Sequence, residues 1–186
     1  MISAMKEKAS IYIFDTNIFL TGIDINLIEF EIYTTLSIIE EIKDHRYTEK
    51  NRNILNKVNV AIETKKLTVI NPESKFIEKV REISKKTGDF KSLSDVDKEL
   101  IALALELKEK SNKNVKMYSN DYSIENVCSE LKIPFSSLYK NGIESKINWE
   151  VYCPYCKSIH EAEELNKTCE MCGSKLKRRP KSNIIY

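Results

Sequence analysis

Two C-x-x-C pairs near the C-terminus, Cys153/Cys156 and Cys169/Cys172, stand twelve residues apart and decide how that part of the chain must fold. Four thiolates at this spacing complete a tetrahedral Zn²⁺ shell and leave no open position, which makes the site structural. A Cys₄ set also accepts iron, and a redox dithiol would need only one of the pairs. A segment this small cannot fold on apolar burial alone, so a bound metal supplies the missing stability. The expectation is a zinc ribbon over residues 146–186. The fifth cysteine, Cys128, lies in an apolar helical stretch and reads as core.

Upstream, short apolar runs alternate with stretches of helical periodicity. Residues 11–14 form a β-branched and aromatic run that stops at Asp15, as a buried strand delivering a polar residue at its C-terminal end would. Residues 30–34 give a second strand, followed by a helix over 36–44 in which Ile38, Ile39 and Ile42 recur at helical spacing. A helix over about 50–65, a strand at 67–70 and a helix opening at Pro72 come next. After the loop KKTGDFKSLS, Ser94 opens a long helix to about Lys110. A strand at 115–118, a helix from Asp121 to about Leu131 and a short edge strand at 134–138 complete the series. This order predicts an α/β fold, a mostly parallel sheet flanked by helices, over residues 1–145.

With 186 residues and 41% hydrophobic content, the chain can bury a sizeable core. Its net charge of +2 announces no nucleic-acid partner by itself, so any such signal must be local. The opening MISAMKEKAS lacks an apolar signal core and no stretch suits a membrane span. The expected setting is cytoplasmic, without membrane contact.

Four acids fall where a parallel sheet would gather them. Asp15 ends the first strand, Glu41 follows the second, Asp97 is in the first turn of the long helix, and Asp121 follows the strand at 115–118. Carboxyl ends of parallel strands form the ligand crevice of such sheets. Each acid has a local alternative: Asp15 and Asp121 as caps, Asp97 in a capping box with Ser94, Glu41 as a solvated helix acid. Asp97 shares a helical column with Ile101 and Ala104, and Glu41 shares one with Ile38, so both are expected to face the apolar side. A buried unpaired carboxylate costs several kcal/mol, a cost that divalent cations would offset. Oxygen ligands suit Mg²⁺ or Mn²⁺, and the chemistry such a cluster supports is phosphodiester hydrolysis. His45 and His160 read as surface residues, and no P-loop or G-x-S-x-G occurs.

FDTNIFL, TTLSIIEEI, SLSDVDKELIALALEL and YSNDYSIENV resemble the acidic motifs of PIN-domain nucleases. Together with the following ribbon, SKKTGDFKSLSDVDKELIALALEL is similar to the Nob-type ribosome-maturation endonucleases. The resemblance implies a PIN fold and metal-dependent cleavage of single-stranded RNA at the 3′ end of small-subunit ribosomal RNA. It implies the ribosomal RNA precursor and the pre-small-subunit particle as partners, with Mn²⁺ or Mg²⁺ at Asp15, Glu41, Asp97 and Asp121. The motif EEI selects Glu41 over Glu40, and the serine of SLS selects Asp97 over Asp95. Asn17 and Asn120 flank the acids and would orient water or a ligand.

The end of the chain, with Lys175, Lys177, Arg178, Arg179 and Lys181, offers phosphate contacts, and Tyr152 and Tyr155 offer stacking surfaces, if it is more than a solubilising tail. Two other readings remain. One is a toxin-like PIN ribonuclease acting on transfer or messenger RNA; the other is a catalytically silent RNA-binding assembly factor.

Overall fold

The computed structural model describes residues 10–43, 48–137 and 147–181. His45 and the expected domain boundary at 145/146 lie outside them.

Five strands, β1 (Ser10–Phe14), β2 (Glu31–Thr34), β3 (Leu67–Val69), β4 (Asn114–Tyr118) and β5 (Phe135–Ser136), form one sheet in the order β3-β2-β1-β4-β5. Every pairing is parallel. The first strand to form in sequence is therefore central, and its C-terminal end meets the crevice where strand order reverses between β1 and its two neighbours. The helices are α1 (Thr16–Leu20), α2 (Leu36–Lys43), α3 (Thr48–Glu63), α4 (Ser74–Thr87), α5 (Asp95–Lys110) and α6 (Tyr122–Glu130). α1, a five-residue helix, starts directly after Asp15 and was not anticipated, because five residues are too few to show helical periodicity.

Burial follows the expected periods. Ile38, Ile39 and Ile42 of α2, Phe76 and Val80 of α4, and Leu100, Ile101 and Ala104 of α5 join Ile11, Ile13, Val115 and Met117 in one core. Cys128 lies in that core, fully covered. α5 is buried along much of its length, from Leu100 to Leu105, so its hydrophobic content is spread around the helix.

The C-terminal segment forms a separate antiparallel sheet, β7-β6-β8, from β6 (Trp149–Tyr152), β7 (Ile159–His160) and β8 (Lys177–Pro180). Val151, Cys153, Cys169 and Leu176 make its small core. The basic stretch is thus not a free tail. Arg178 and Arg179 lie in β8, paired with β6, where Arg179 meets Glu150 at 2.7 Å and stacks over Tyr152.

The two sheets are joined through Asp89, fully buried in the α4–α5 loop. Its Oδ1 accepts from Arg178 Nη1 of β8 at 3.1 Å, and its Oδ2 accepts from Asn126 Nδ2 of α6 at 2.6 Å. Asn126 also bonds the carbonyl of Ile147 at 2.8 Å, and Arg178 lies over the Trp149 ring. Gly88 ends α4 with φ +78, and a Cβ there would come within 2.4 Å of the Trp149 carbonyl oxygen. Both backbone conformation and close approach require glycine.

Burial holds the Asp89 carboxyl above its ordinary range, while Asn126, Thr87 and Arg178 pull it down. Arg178→Met removes the cation, so it is expected to destabilise the protein by about 2 kcal/mol at neutral pH. The loss should shrink in acid, where Asp89 is protonated in both states. Melting temperature against pH for this variant, and for Arg178→Met combined with Asp89→Asn, checks it: the double variant should recover part of the loss.

Candidate active site and metal centre

The backbone places Asp15 by continuing the β1–β4 ladder one step: its N–H donates to the Tyr118 carbonyl at 3.2 Å. The side chain is only 3% exposed. Ser119 Oγ donates to Asp15 Oδ2 at 2.9 Å, and the same hydroxyl accepts from the Asp121 N–H at 3.0 Å. One serine thus links the ends of two adjacent strands and two of the four acids.

Asp97 is both a cap and a member of the cluster. Ser94 Oγ accepts from the Asp97 N–H at 3.0 Å, and Asp97 Oδ2 accepts from the Ser94 N–H and hydroxyl, each at 2.7 Å. These bonds use Oδ2 and leave Oδ1 outside the capping box. Asp121 caps α6 by accepting from the Ser123 N–H through Oδ1 at 2.7 Å. The capping alternatives therefore hold for Asp97 and Asp121 without excluding a second role, since a carboxylate has two oxygens.

Glu41 departs from expectation. It is exposed, although its column neighbour Ile38 is fully buried. It lies just outside the buried stripe that Ile38, Ile39 and Ile42 form on α2, and its Oε2 accepts from Thr16 Oγ1. Asp97 is half-buried, closer to what its column implied. Glu40 is also exposed, and Asp95 faces solvent beside Lys98, at 3.3 Å.

The four acids share one electrostatic neighbourhood. Burial is the main force that raises the Asp15 carboxyl to about 6, and repulsion from Asp97 and Glu41 adds to it against the Ser119 bond. Asp97 is raised by burial, with repulsion from Asp121 and Glu41 adding to it against its Ser94 bonds. The hydroxyls of Thr16, Ser94 and Ser119 hold one oxygen on each of Glu41, Asp97 and Asp15. Sequence reading missed Thr16 and Ser119, although both sit within two residues of a motif acid. Asn17 is exposed, and Asn120 accepts from Ser137 Oγ at 2.8 Å.

The ribbon cysteines converge as their spacing predicts: Cys153, Cys156, Cys169 and Cys172 have sulfurs all within 4.8 Å of one another. Cys153 approaches Cys172 at 3.3 Å and Cys156 approaches Cys169 at 3.7 Å. The two knuckles repeat the same turn. Lys157 N–H donates to the Cys153 carbonyl and Gly173 N–H to the Cys169 carbonyl, with φ of 64 and 74 at those two residues. His160 is not the surface residue expected: its side chain is 13% exposed, with Nδ1 3.1 Å from Glu164 and Nε2 3.6 Å from Cys169 Sγ. β7 turns it inward, a direction that loop composition alone does not reveal.

This arrangement can be compared with known proteins. A family model for the PIN domain of ribonuclease matches residues 12–107, just over half of the chain, a span that includes Asp15, Glu41 and Asp97. The endoribonuclease Nob1 of Methanocaldococcus jannaschii is 32% identical over 90% of this chain and 76% of its own length. That of Pyrococcus abyssi is 31% identical over 91% of this chain and 93% of its own. The chain belongs to the Nob1 family of PIN-domain endoribonucleases. Like its Nob1 relatives it is an endoribonuclease, a hydrolase acting on RNA. A ribonuclease VapC1 of Thermoplasma acidophilum is also similar, 30% identical over 90% of this chain and 77% of its own. Among the described residues, no helix is long and apolar enough to cross a membrane.

The raised Asp15 carboxyl has a direct consequence. Its folded pKa of about 6 lies above the ordinary 3.8, so its ionisation opposes folding. Without metal, that penalty is absent below about pH 4 and grows as pH rises to about 6. Asp15→Asn is therefore expected to raise the melting temperature of metal-free protein by several degrees at pH 7.5, with the gain vanishing near pH 4. Thermal melts across that range check it.

Proposed function

We propose that this endoribonuclease matures small-subunit ribosomal RNA, cutting single-stranded precursor at its 3′ end within the pre-small-subunit particle. In this reading Asp15, Glu41, Asp97 and Asp121 hold Mn²⁺ or Mg²⁺, and Cys153, Cys156, Cys169 and Cys172 hold Zn²⁺. The observation that carries it is the gathering of four carboxylates at the carboxyl edge of one parallel sheet, each with one oxygen already engaged by a nearby donor. The donor sets fit: carboxylate oxygens suit hard cations, and four thiolates suit zinc.

When bound, the cations would activate water and stabilise charge on the scissile phosphate. The protein's part is positional. Asp15 forms the buried floor, fixed by Ser119; Asp97 is fixed by the capping box; Asp121 is fixed at the start of α6; and Glu41 reaches in from α2, steadied by Thr16. Such donors outside the ligand shell commonly contribute 10- to 100-fold to metal affinity or activity. Membership of the Nob1 family supports the ribosomal reading, which is what the resemblance of the acidic motifs and the ribbon implies. The VapC1 relative keeps a second reading open, a toxin-like ribonuclease acting on transfer or messenger RNA.

Incubation with precursor small-subunit RNA and Mn²⁺, followed by mapping of cut ends, should give one cut at the mature 3′ end. Cleavage confined to transfer RNA would favour the second reading. Asp15→Asn, Asp97→Asn and Asp121→Asn should each lower the rate by more than about 100-fold, Ser119→Ala by about 10-fold, and Asp95→Asn hardly at all. Undiminished cleavage by Asp97→Asn would reassign that position.

A further inference from the structure

A parallel sheet normally has helices on both faces, and its strands then read as continuous apolar runs. β1 and β4 depart from this. On one face Ile11, Ile13, Val115 and Met117 are buried, whereas on the other Ser10, Tyr12, Lys116 and Tyr118 are only half-covered and Asn114 is exposed. That second face is roofed over β2 and β3, where Ile32 and Leu67 are buried, and at the end of β1, where Phe14 is buried, but only partly over Tyr12, Lys116 and Tyr118.

The half-covered patch has a definite composition. The register sets Tyr12 opposite Lys116 and Phe14 opposite Tyr118. The Tyr12 ring lies 4.6 Å from that of Phe30 and 5.0 Å from that of Tyr118, and Lys116 Nζ stands 5.2 Å from the Tyr118 centroid. A groove of about 500 Å³ runs along Tyr12, Phe30 and Tyr118, with Glu29 at its margin. Past Tyr12 it meets a second hollow of about 330 Å³ lined by Lys108, Lys113, Lys116 and Lys132. Lys113 is paired with Glu31, and Lys108 donates to the carbonyls of Leu131 and Lys132. Among the described residues, no acid pairs with Lys116 or Lys132.

Aromatic faces beside lysines on a partly exposed sheet face suit unstacked bases joined by phosphates. Duplex bases are stacked inward and do not offer their faces. We propose that this face of β1 and β4 is a stacking platform for single-stranded RNA. Its position gives it a use in the proposed cleavage, on which only this last step rests. Tyr12 is three residues from Asp15 along an extended strand, about 10 Å, and the two side chains leave opposite faces, so an RNA stacked there would turn over the carboxyl edge of the sheet to reach the carboxylates.

The test is binding of a short fluorescein-labelled single-stranded oligouridine to the full chain, followed by anisotropy with no divalent cation added. Tyr12→Leu and Tyr118→Leu should each weaken binding by about tenfold, while Tyr12→Phe and Tyr118→Phe retain it. Lys116→Met should reduce the slope of log affinity against log salt by about 0.7. Unchanged affinity in both leucine variants, with native melting, overturns the platform, as does an equal loss for a duplex of the same length. Should the leucine variants fail to fold, Phe30→Ala and Lys116→Glu at the rim replace them, with the same two outcomes. Cleavage is scored separately, on precursor small-subunit RNA with Mn²⁺: ring-dependent oligouridine binding without that cleavage keeps the platform and removes the proposed reading of the acids.

Discussion

The structure depends on one buried charge. Asp15 ends the central strand with 3% of its surface exposed, where an ionised carboxylate is costly. Among the described residues no lysine or arginine pairs with it. Burial, with repulsion from Asp97 and Glu41 adding to it, holds its proton to about pH 6 against the Ser119 hydroxyl. A stable fold accepts such an arrangement where a functional site requires it, and strongly perturbed carboxyls in a crevice are a recognised mark of one. The elements around Asp15 follow from it: Ser119 joins β4 to β1, Thr16 bridges α1 to α2 through Glu41, and the Ser94 capping box turns Asp97 inward at the head of α5.

The second constraint is the attachment of the ribbon. Arg178 does not compensate the acidic crevice; it compensates Asp89, which sits in the loop entering α5 and bonds Asn126 on α6. These are the two helices whose N-terminal ends carry Asp97, in the first turn of α5, and Asp121, the cap of α6. The ribbon is thereby tied to the elements that position half of the acids, and RNA held by the ribbon would be held in a defined relation to the crevice.

Much of this was legible from residue patterns with rigid chemistry. Cysteine spacing dictates a metal knuckle whatever surrounds it, and acids at strand ends and first turns converge because parallel topology brings those points together. What escaped depended on long-range packing. Glu41 looked buried because sharing a column with one apolar residue does not reveal how narrow the covered stripe of a helix is. The lysines and arginines after Cys172 looked like a tail because a strand of charged residues has no apolar alternation to betray it, yet β8 pairs along its full length with β6. Asp89 stood in a stretch read only as turn formers, and no local pattern marks an acid whose cation lies 89 residues away. Tyr12 and Tyr118 passed as strand-favouring aromatics; only the sheet shows that their face is open.

The central claim is that the carboxylates form one site awaiting a divalent cation, and its most direct measurement is proton release on Mn²⁺ binding. Calorimetric titrations at pH 6, run in buffers of differing ionisation enthalpy, count the protons displaced. With Asp15 near its midpoint, about half a proton should be released per site at pH 6 and almost none at pH 8, and Asp15→Asn should abolish the difference. Mn²⁺ binding without pH-dependent proton release, or binding unaffected by Asp15→Asn, would contradict the account.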